Sequence, residues 1–201
     1  MIKTVILDIG NVLACFGWKD YLTECGYDKE LFDRISASTV YSDAWKEWDR
    51  GSISRDEMAN ICSQYDNSIE QEIRKFFEHI YNTVREYEYS EAFVKQLKDN
   101  GYQVYLLSNF NGGHYEYCKE NLRFLKYVDG GVISYEVNHV KPEPQIYQIL
   151  LDKYNINPSC AVFLDDMEEN LEAAKSFGLH TVLVKSHVQA LDHLRSFGVA
   201  I

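Results

Sequence analysis

The sequence predicts an α/β fold: a parallel sheet core carrying helices on both faces, with an all-helical insertion after the first strand. Three observations lead there. The opening run Thr4-Val5-Ile6-Leu7 is apolar and too brief for a helix, so it reads as a strand with both faces covered. From Ser90 onward, short apolar strands alternate with amphipathic helices through short connections, the pattern of βαβ units. Between these regions lie roughly 75 residues of helical periodicity without a convincing strand, too many for a simple connection. The expected division is a core of residues 1–14 and 90–201, interrupted by a helical block at 15–89.

The first strand stops at Asp8, with Gly10 two residues on. Ionised carboxylates are seldom buried without a partner, and in open α/β sheets ligands gather at the carboxyl ends of the strands. Asp8 is therefore a candidate functional residue, although a turn-forming or helix-capping Asp would look the same in isolation. Helices are expected at about 18–25, 29–37, 40–49, 55–65 and 69–84, with Ser54 and Glu57 forming a capping box. Phe32, Tyr41, Trp45, Trp48, Phe76, Phe77 and Tyr81 are read as the core of this block. Trp18, just after the first strand, is a candidate substrate contact.

Residues 90–100 form an amphipathic helix closed by Gly101 as a left-handed cap. The next strand, 102–107, stops at Ser108-Asn109. A Gly112-Gly113 turn then opens a helix to about Phe124, followed by a short strand at 131–134. Lys141 stands in a loop before Pro144, which suits the first turn of a helix because its missing N–H has no partner there anyway. A strand at 161–164 also ends in acid, Asp165-Asp166. A helix at 168–177 and a strand at 181–184 follow.

Composition narrows the function. The 201 residues are 46% hydrophobic, enough for a sizeable core without disulfides. The formal charge of −11, with a pI near 5.0 and no basic run, argues against nucleic-acid or anionic-membrane partners. Five widely spaced cysteines without a C-x-x-C pair read as reduced thiols. No signal peptide and no run of 18 apolar residues is visible, so a cytoplasmic protein is expected. Oligomeric state is not readable.

In one parallel sheet, the ends at Asp8, Ser108-Asn109 and Asp165-Asp166 share an edge, and Lys141 can join them from its loop. Each alone has a plain structural reading: a polar turn, a surface lysine, a helix cap. Together they suit phosphoryl chemistry. Asp8 and Asp166 would repel unless a cation lay between them, and hard oxygen ligands with room for water suit Mg²⁺. Ser108 and Lys141 could hold phosphate oxygens while Asp8 attacks phosphorus.

These residues resemble the haloacid dehalogenase-like hydrolase superfamily. Leu7-Asp8-Ile9-Gly10-Asn11-Val12-Leu13 is similar to its first motif, Leu107-Ser108-Asn109 to its second and Lys141-Pro142-Glu143-Pro144 to its third. Phe163-Leu164-Asp165-Asp166, with Asn170 and Ala173-Ala174, is similar to the fourth. The resemblance implies a Rossmann-like core, with residues 15–89 as a helical cap over the active site. It implies Asp8 as nucleophile, with Ser108 and Lys141 in the catalytic set and Asn109, Lys141 and Asn11 among the substrate contacts. Mg²⁺ would be held by Asp8, the Gly10 carbonyl and Asp166, with Asp165 supporting through water. The Asp-x-Gly-Asn-Val pattern resembles members like α-glucose-1-phosphate phosphatase, so the expected substrate is a small phosphorylated metabolite such as a sugar phosphate.

One departure stands out. Most superfamily phosphatases carry a second Asp two residues after the nucleophile, as general acid; here that position is Gly10. General acid–base catalysis is typically worth about 10²–10⁴-fold, or roughly 2.7–5.4 kcal/mol. Three readings follow: a substrate whose leaving group needs little protonation, another residue or a water in the acid's place, or a protein that binds phosphate and hydrolyses it poorly. The alternatives are thus a non-catalytic phosphate-binding regulatory or scaffold protein, and a metal-independent 2-haloacid dehalogenase. The second conflicts with the paired acids Asp165-Asp166.

Overall fold

The computed structural model describes residues 1–201. Its sheet has five parallel strands: β1 (Thr4–Leu7) at the centre, β4 (Gln103–Ser108) and β5 (Gly130–Ile133) on one side, β6 (Ala161–Asp165) and β7 (His180–Leu183) on the other. Two further strands, β2 (Ala14–Phe16) and β3 (Val84–Glu86), form a separate antiparallel ribbon. Because β1 is flanked by β4 and β6, the chain reverses its direction of sheet growth beside β1. That is where a crevice opens at the strands' carboxyl ends.

The period-two alternation of strand side chains splits the core into two layers. Val5, Leu7, Val104, Leu106, Val162 and Leu164 lie on one face, against helix α6 (Ser90–Asp99) and helix α11 (His187–Ser196). Ile6, Tyr105, Leu107 and Phe163 lie on the other, against α9 (Pro144–Tyr154) and α10 (Glu168–Ser176). Burial on both faces explains why these strands read as unbroken apolar runs.

Helices α1 (Trp18–Glu24), α2 (Lys29–Ser38), α3 (Asp43–Asp49), α4 (Arg55–Tyr65) and α5 (Glu70–His79) follow β2, with their own core of Trp18, Leu22, Ile35, Trp48, Met58, Ile73, Phe76 and Phe77. Ser54 and Glu57 form the expected capping box. The remaining helices are α7 (Gly112–Asn121) and the single turn α8 (Ser134–Val137).

Several expectations need correction. The block at 15–89 does contain strand: Ala14–Phe16 at its start pairs with Val84–Glu86 near its end as the β2–β3 ribbon, each strand too short for periodicity to register. The helix expected over 69–84 ends at His79, where a 3₁₀ turn at Ile80–Thr83 leads into β3. Gly112 and Gly113 are not a turn but the first residues of α7, capped by the Asn111 side chain. A Cβ on Gly113 would run into the Tyr81 phenol ring, so the helix start and this ring pack closely here. Helix α11 lies beyond the last element expected from the sequence. All five cysteines are free, and no helix is long and apolar enough to cross a membrane.

Candidate active site

Asp8 follows β1 directly, its N–H still bonded to the Leu164 carbonyl at 3.0 Å, which brings the ends of β1 and β6 together. The side chain is 7% exposed. Its Oδ1 accepts hydrogen bonds from the Ser108 hydroxyl at 2.5 Å and the Ile9 N–H at 2.8 Å and is ion-paired with Lys141 Nζ at 2.9 Å. None reaches Oδ2, and no buried polar side-chain atom in the structure lacks a partner, so Oδ2 is open to the cavity in front of it. One oxygen is anchored and the other is left free to react.

Lys141 enters from the loop before α9, 4% exposed. Its Nζ also contacts Asp165 Oδ2 at 2.6 Å. Asn109 clamps the loop, accepting from the Lys141 N–H at 2.8 Å and donating to the Lys141 carbonyl at 3.0 Å. Both functional ends of the Asn109 amide are thereby committed, which makes it a positioning group for Lys141 although it lines the cavity. Burial opposes the charge on Lys141, but Asp165 and Asp8 outweigh it and raise its pKa.

Asp165 is fully buried and saturated. Oδ1 accepts from the Met167 N–H at 2.8 Å and Asn170 Nδ2 at 3.0 Å, while Oδ2 accepts from Asn170 at 3.1 Å and from Lys141. Asp166, half-buried, accepts only Asn11 Nδ2 at 2.9 Å. Asn11 thus serves Asp166 from a left-handed backbone position, φ 55°.

The acids of the cluster are under-compensated. Burial lifts Asp8 to about 6, against the opposing pull of Lys141 and with the Asp165 charge adding to it. Burial also raises Asp166, helped by Asp165. Asp8, Asp165 and Asp166 each present an oxygen within 4.8 Å of the others. Two partly unpartnered carboxylates beside a saturated third fit a hard divalent cation, which usually takes one or two carboxylates and keeps several waters.

The cavity measures about 360 Å³. Asp8, Gly10, Asn109 and Asp166 at the strand ends line it together with Lys141 from its loop and Asn170 from α10, and Phe16, Val40, Trp45 and Asp49 line it from the ribbon and helical block. A larger hollow of about 660 Å³ near Leu151 and Phe177 holds Asp152 as its one charged side chain and none of the strand-end set.

Trp18, expected as a substrate contact, lies outside this cavity. It is 5% exposed and stacks on Phe32 at 5.9 Å within the helical core. Trp45 lines the cavity instead, while Trp48 stays in the core. Both tryptophans are on α3 three residues apart, and only packing decides which faces outward. Asp49 and His114 were missed from the sequence. Burial holds His114 down at about 4, hence neutral, its ring nitrogens occupied by Asn111 Nδ2 at 2.6 Å and the Ile80 carbonyl at 3.3 Å.

A parallel-sheet core with an acid cluster at its carboxyl edge and a helical insertion after β1 defines a class, and comparison with known proteins agrees. A family model described as haloacid dehalogenase-like hydrolase matches residues 2–178, and the chain belongs to that family of enzymes. Among curated relatives it is 26% identical to a D-ribitol-5-phosphate phosphatase of Bacteroides thetaiotaomicron, covering 90% of this chain and 91% of that protein. It is 23% identical to a sesquiterpene phosphatase of Aspergillus oryzae, covering 88% and 87% respectively. Among solved structures, a family enzyme of Bacteroides thetaiotaomicron in complex with magnesium and inorganic phosphate superposes with a TM-score of 0.70 at 23% identity, covering 93% of this chain and 96% of that one. The L-2-haloacid dehalogenase of Xanthobacter autotrophicus shares the fold as well, with a TM-score of 0.71 at 17% identity, covering 100% of this chain and 85% of that one.

Proposed function

We propose that this protein is a Mg²⁺-dependent phosphatase of a small monophosphorylated metabolite, acting through an aspartyl-phosphate on Asp8. The observation that carries this is the asymmetry of Asp8, with Oδ1 anchored by three partners and Oδ2 open to the cavity. Anchoring one oxygen aims the other, and positioning is most of what phosphoryl transfer asks of a protein. Lys141 and the Ser108 hydroxyl orient the carboxylate, and Lys141 balances phosphoryl charge. Asp8, the Gly10 carbonyl and Asp166 would hold the metal, with Asp165 anchored behind them as support. When bound, Mg²⁺ neutralises charge on the transferred group and on the paired acids.

The cavity also constrains the substrate. Lys141 is its one cationic side chain, against Asp8, Asp49, Asp166 and Glu169, and Phe16, Val40, Trp45 and Phe110 supply apolar wall. A second anionic group on the substrate would meet acids rather than a cation, so the leaving portion is uncharged. Relatives named as a D-ribitol-5-phosphate phosphatase and a sesquiterpene phosphatase support a phosphorylated substrate, the first of them a monophosphate with an uncharged leaving portion. The resemblance of the Asp-x-Gly-Asn-Val pattern to α-glucose-1-phosphate phosphatase-like members favours a sugar phosphate among the choices.

With Mg²⁺ and p-nitrophenyl phosphate, wild type is expected to release phosphate and Asp8→Asn to release none. Equal rates would remove Asp8 from the mechanism. Release of chloride from a 2-haloacid in excess chelator would instead establish the dehalogenase reading.

A further inference from the structure

Gly10 leaves the leaving-group oxygen without the usual nearby acid. A Cβ there would meet nothing within 4 Å, so no neighbouring side chain has moved into that space. The proton must come from elsewhere in the cavity. Lys141 is paired with two carboxylates, Asp166 belongs to the metal cluster, and both His114 nitrogens are engaged. Glu169 is exposed at the rim. Asp49 remains, the last residue of α3, lining the same cavity as Asp8.

Its placement is built. The Asp49 carbonyl accepts from the Ser134 hydroxyl at 2.6 Å, and Ser134 Oγ accepts from the Phe110 N–H at 2.9 Å. The neighbouring Arg50 makes a two-pronged ion pair with Glu143 at 2.8 and 2.7 Å, and Asn138 Nδ2 donates to the Arg50 carbonyl at 3.1 Å. Gly51, at φ 86°, lies so close to Tyr135 that a Cβ would stand 2.9 Å from it. Three consecutive residues are thus docked on the 134–143 segment, which also delivers Lys141. A single segment of the core sets both the phosphoryl cation and the end of α3.

We propose that Asp49 protonates the leaving-group oxygen and then deprotonates the attacking water, supplying from the helical block the acid that Gly10 lacks. The proposal rests on the phosphatase reading above. In the first half-reaction the Asp8 Oδ2–phosphorus bond forms and the phosphorus–oxygen ester bond breaks; the departing oxygen keeps the electron pair and takes the Asp49 proton. In the second, water attacks phosphorus, gives its proton to Asp49, and the Asp8–phosphorus bond breaks to release inorganic phosphate.

The protonation state suits the role. Burial pushes Asp49 up to about 7, the Asn111 amides and the Trp45 side chain pull it down, and the Asp8 charge pushes it up again. The helix C-terminus also disfavours a carboxylate. The titratable and charged groups sharing the cavity are Asp8 after β1, His114 on α7, Lys141 before α9, and Asp166 and Glu169 around the start of α10. Arg50 and Glu47 flank Asp49 on its own segment.

The test compares p-nitrophenyl phosphate, whose leaving group departs without a proton, with phenyl phosphate, whose leaving group is more basic. Asp49→Asn should lower the first-turnover rate on phenyl phosphate by about 10²–10⁴-fold and on p-nitrophenyl phosphate by far less. A burst of nitrophenolate and accumulated phospho-Asp8 should follow, because the second step lacks its base. The alkaline limb of the wild-type phenyl phosphate profile, near pH 7, should vanish, and adding Gly10→Asp to the Asp49→Asn variant should restore phenyl phosphate turnover. Equal loss on both substrates, or no loss on either, would overturn the role of Asp49. A wild type inactive on both, or an active Asp8→Asn, would overturn the phosphatase reading instead.

Discussion

Asp8 and Asp49 face one cavity from two regions built in different ways. On the core side, β4 and β6 end on either side of β1, Ser108 bonded to Asp8 and Lys141 bridging Asp8 to Asp165, and Asp8, Ser108, Asp165 and Lys141 are each at most 7% exposed. Sheet hydrogen bonds hold that geometry. On the helical side, Phe16, Val40, Trp45 and Asp49 come from a ribbon and a helical block whose docking near Asp49 relies on a few polar contacts. Rigid strand ends suit the invariant part of a substrate, its phosphoryl group. A separately packed block, docked through these polar contacts and through Trp45, Trp48 and Tyr81 around His114, suits the variable part, because its residues can differ without disturbing the sheet.

The most severe way to break this contrast is to remove the cation from the core side. Lys141→Met leaves Asp8 and Asp165 facing each other in the interior without their shared partner. Breaking a buried ion pair costs about 3–5 kcal/mol. Denaturant unfolding in magnesium-free buffer should show that loss, with turnover abolished, whereas a midpoint within error of wild type would show that the two acids do not need the lysine.

The two tryptophans sharpen the helical side. Trp18→Ala removes a ring packed against Phe32 and Tyr41, and large aromatic truncations cost about 3–5 kcal/mol; substrate preference should stay as it is. Trp45→Ala should instead alter relative kcat/KM across a panel of phosphate monoesters by about tenfold, since a pocket contact of this size is worth about 1–3 kcal/mol. Swapped phenotypes would reverse their assignment.

The smallest expected effect concerns the Arg50–Glu143 pair. Arg50 holds Glu143 at about 2, below its ordinary 4.5, and both side chains are partly exposed, at 22% and 27%. A pair of this kind is worth about 1 kcal/mol. Because the folded-state value is depressed, that stabilisation is fully present above about pH 4.5 and is lost as pH falls towards 2. Arg50→Met should flatten stability between those pH values. Unchanged acid sensitivity would place the depression of Glu143 elsewhere.

Much of the core was legible because buried parallel strands write themselves as short apolar runs, and the strands at Asp8, Ser108 and Asp165 each stop at a polar residue. Their shared edge followed from topology alone. The β2–β3 ribbon was not legible, since three-residue strands have no period to detect. The separate duties of Trp18 and Trp45, and the presence of Asp49 in the cavity, were equally hidden. Nothing in Trp45-Lys46-Glu47-Trp48-Asp49 distinguishes a solvated acidic helix end from one pressed against a strand edge far along the chain.

The order of residues by itself determined that this is an α/β chain with a helical insertion and acids at its strand ends, because local periodicity and strand polarity are written in the chain. Only the tertiary structure decided which Asp8 oxygen stays free and which residues of the insertion reach it. Those depend on how two separately packed cores meet, and the contacts that set the meeting, Ser134 with Asp49 and Glu143 with Arg50, join residues 85 and 93 positions apart.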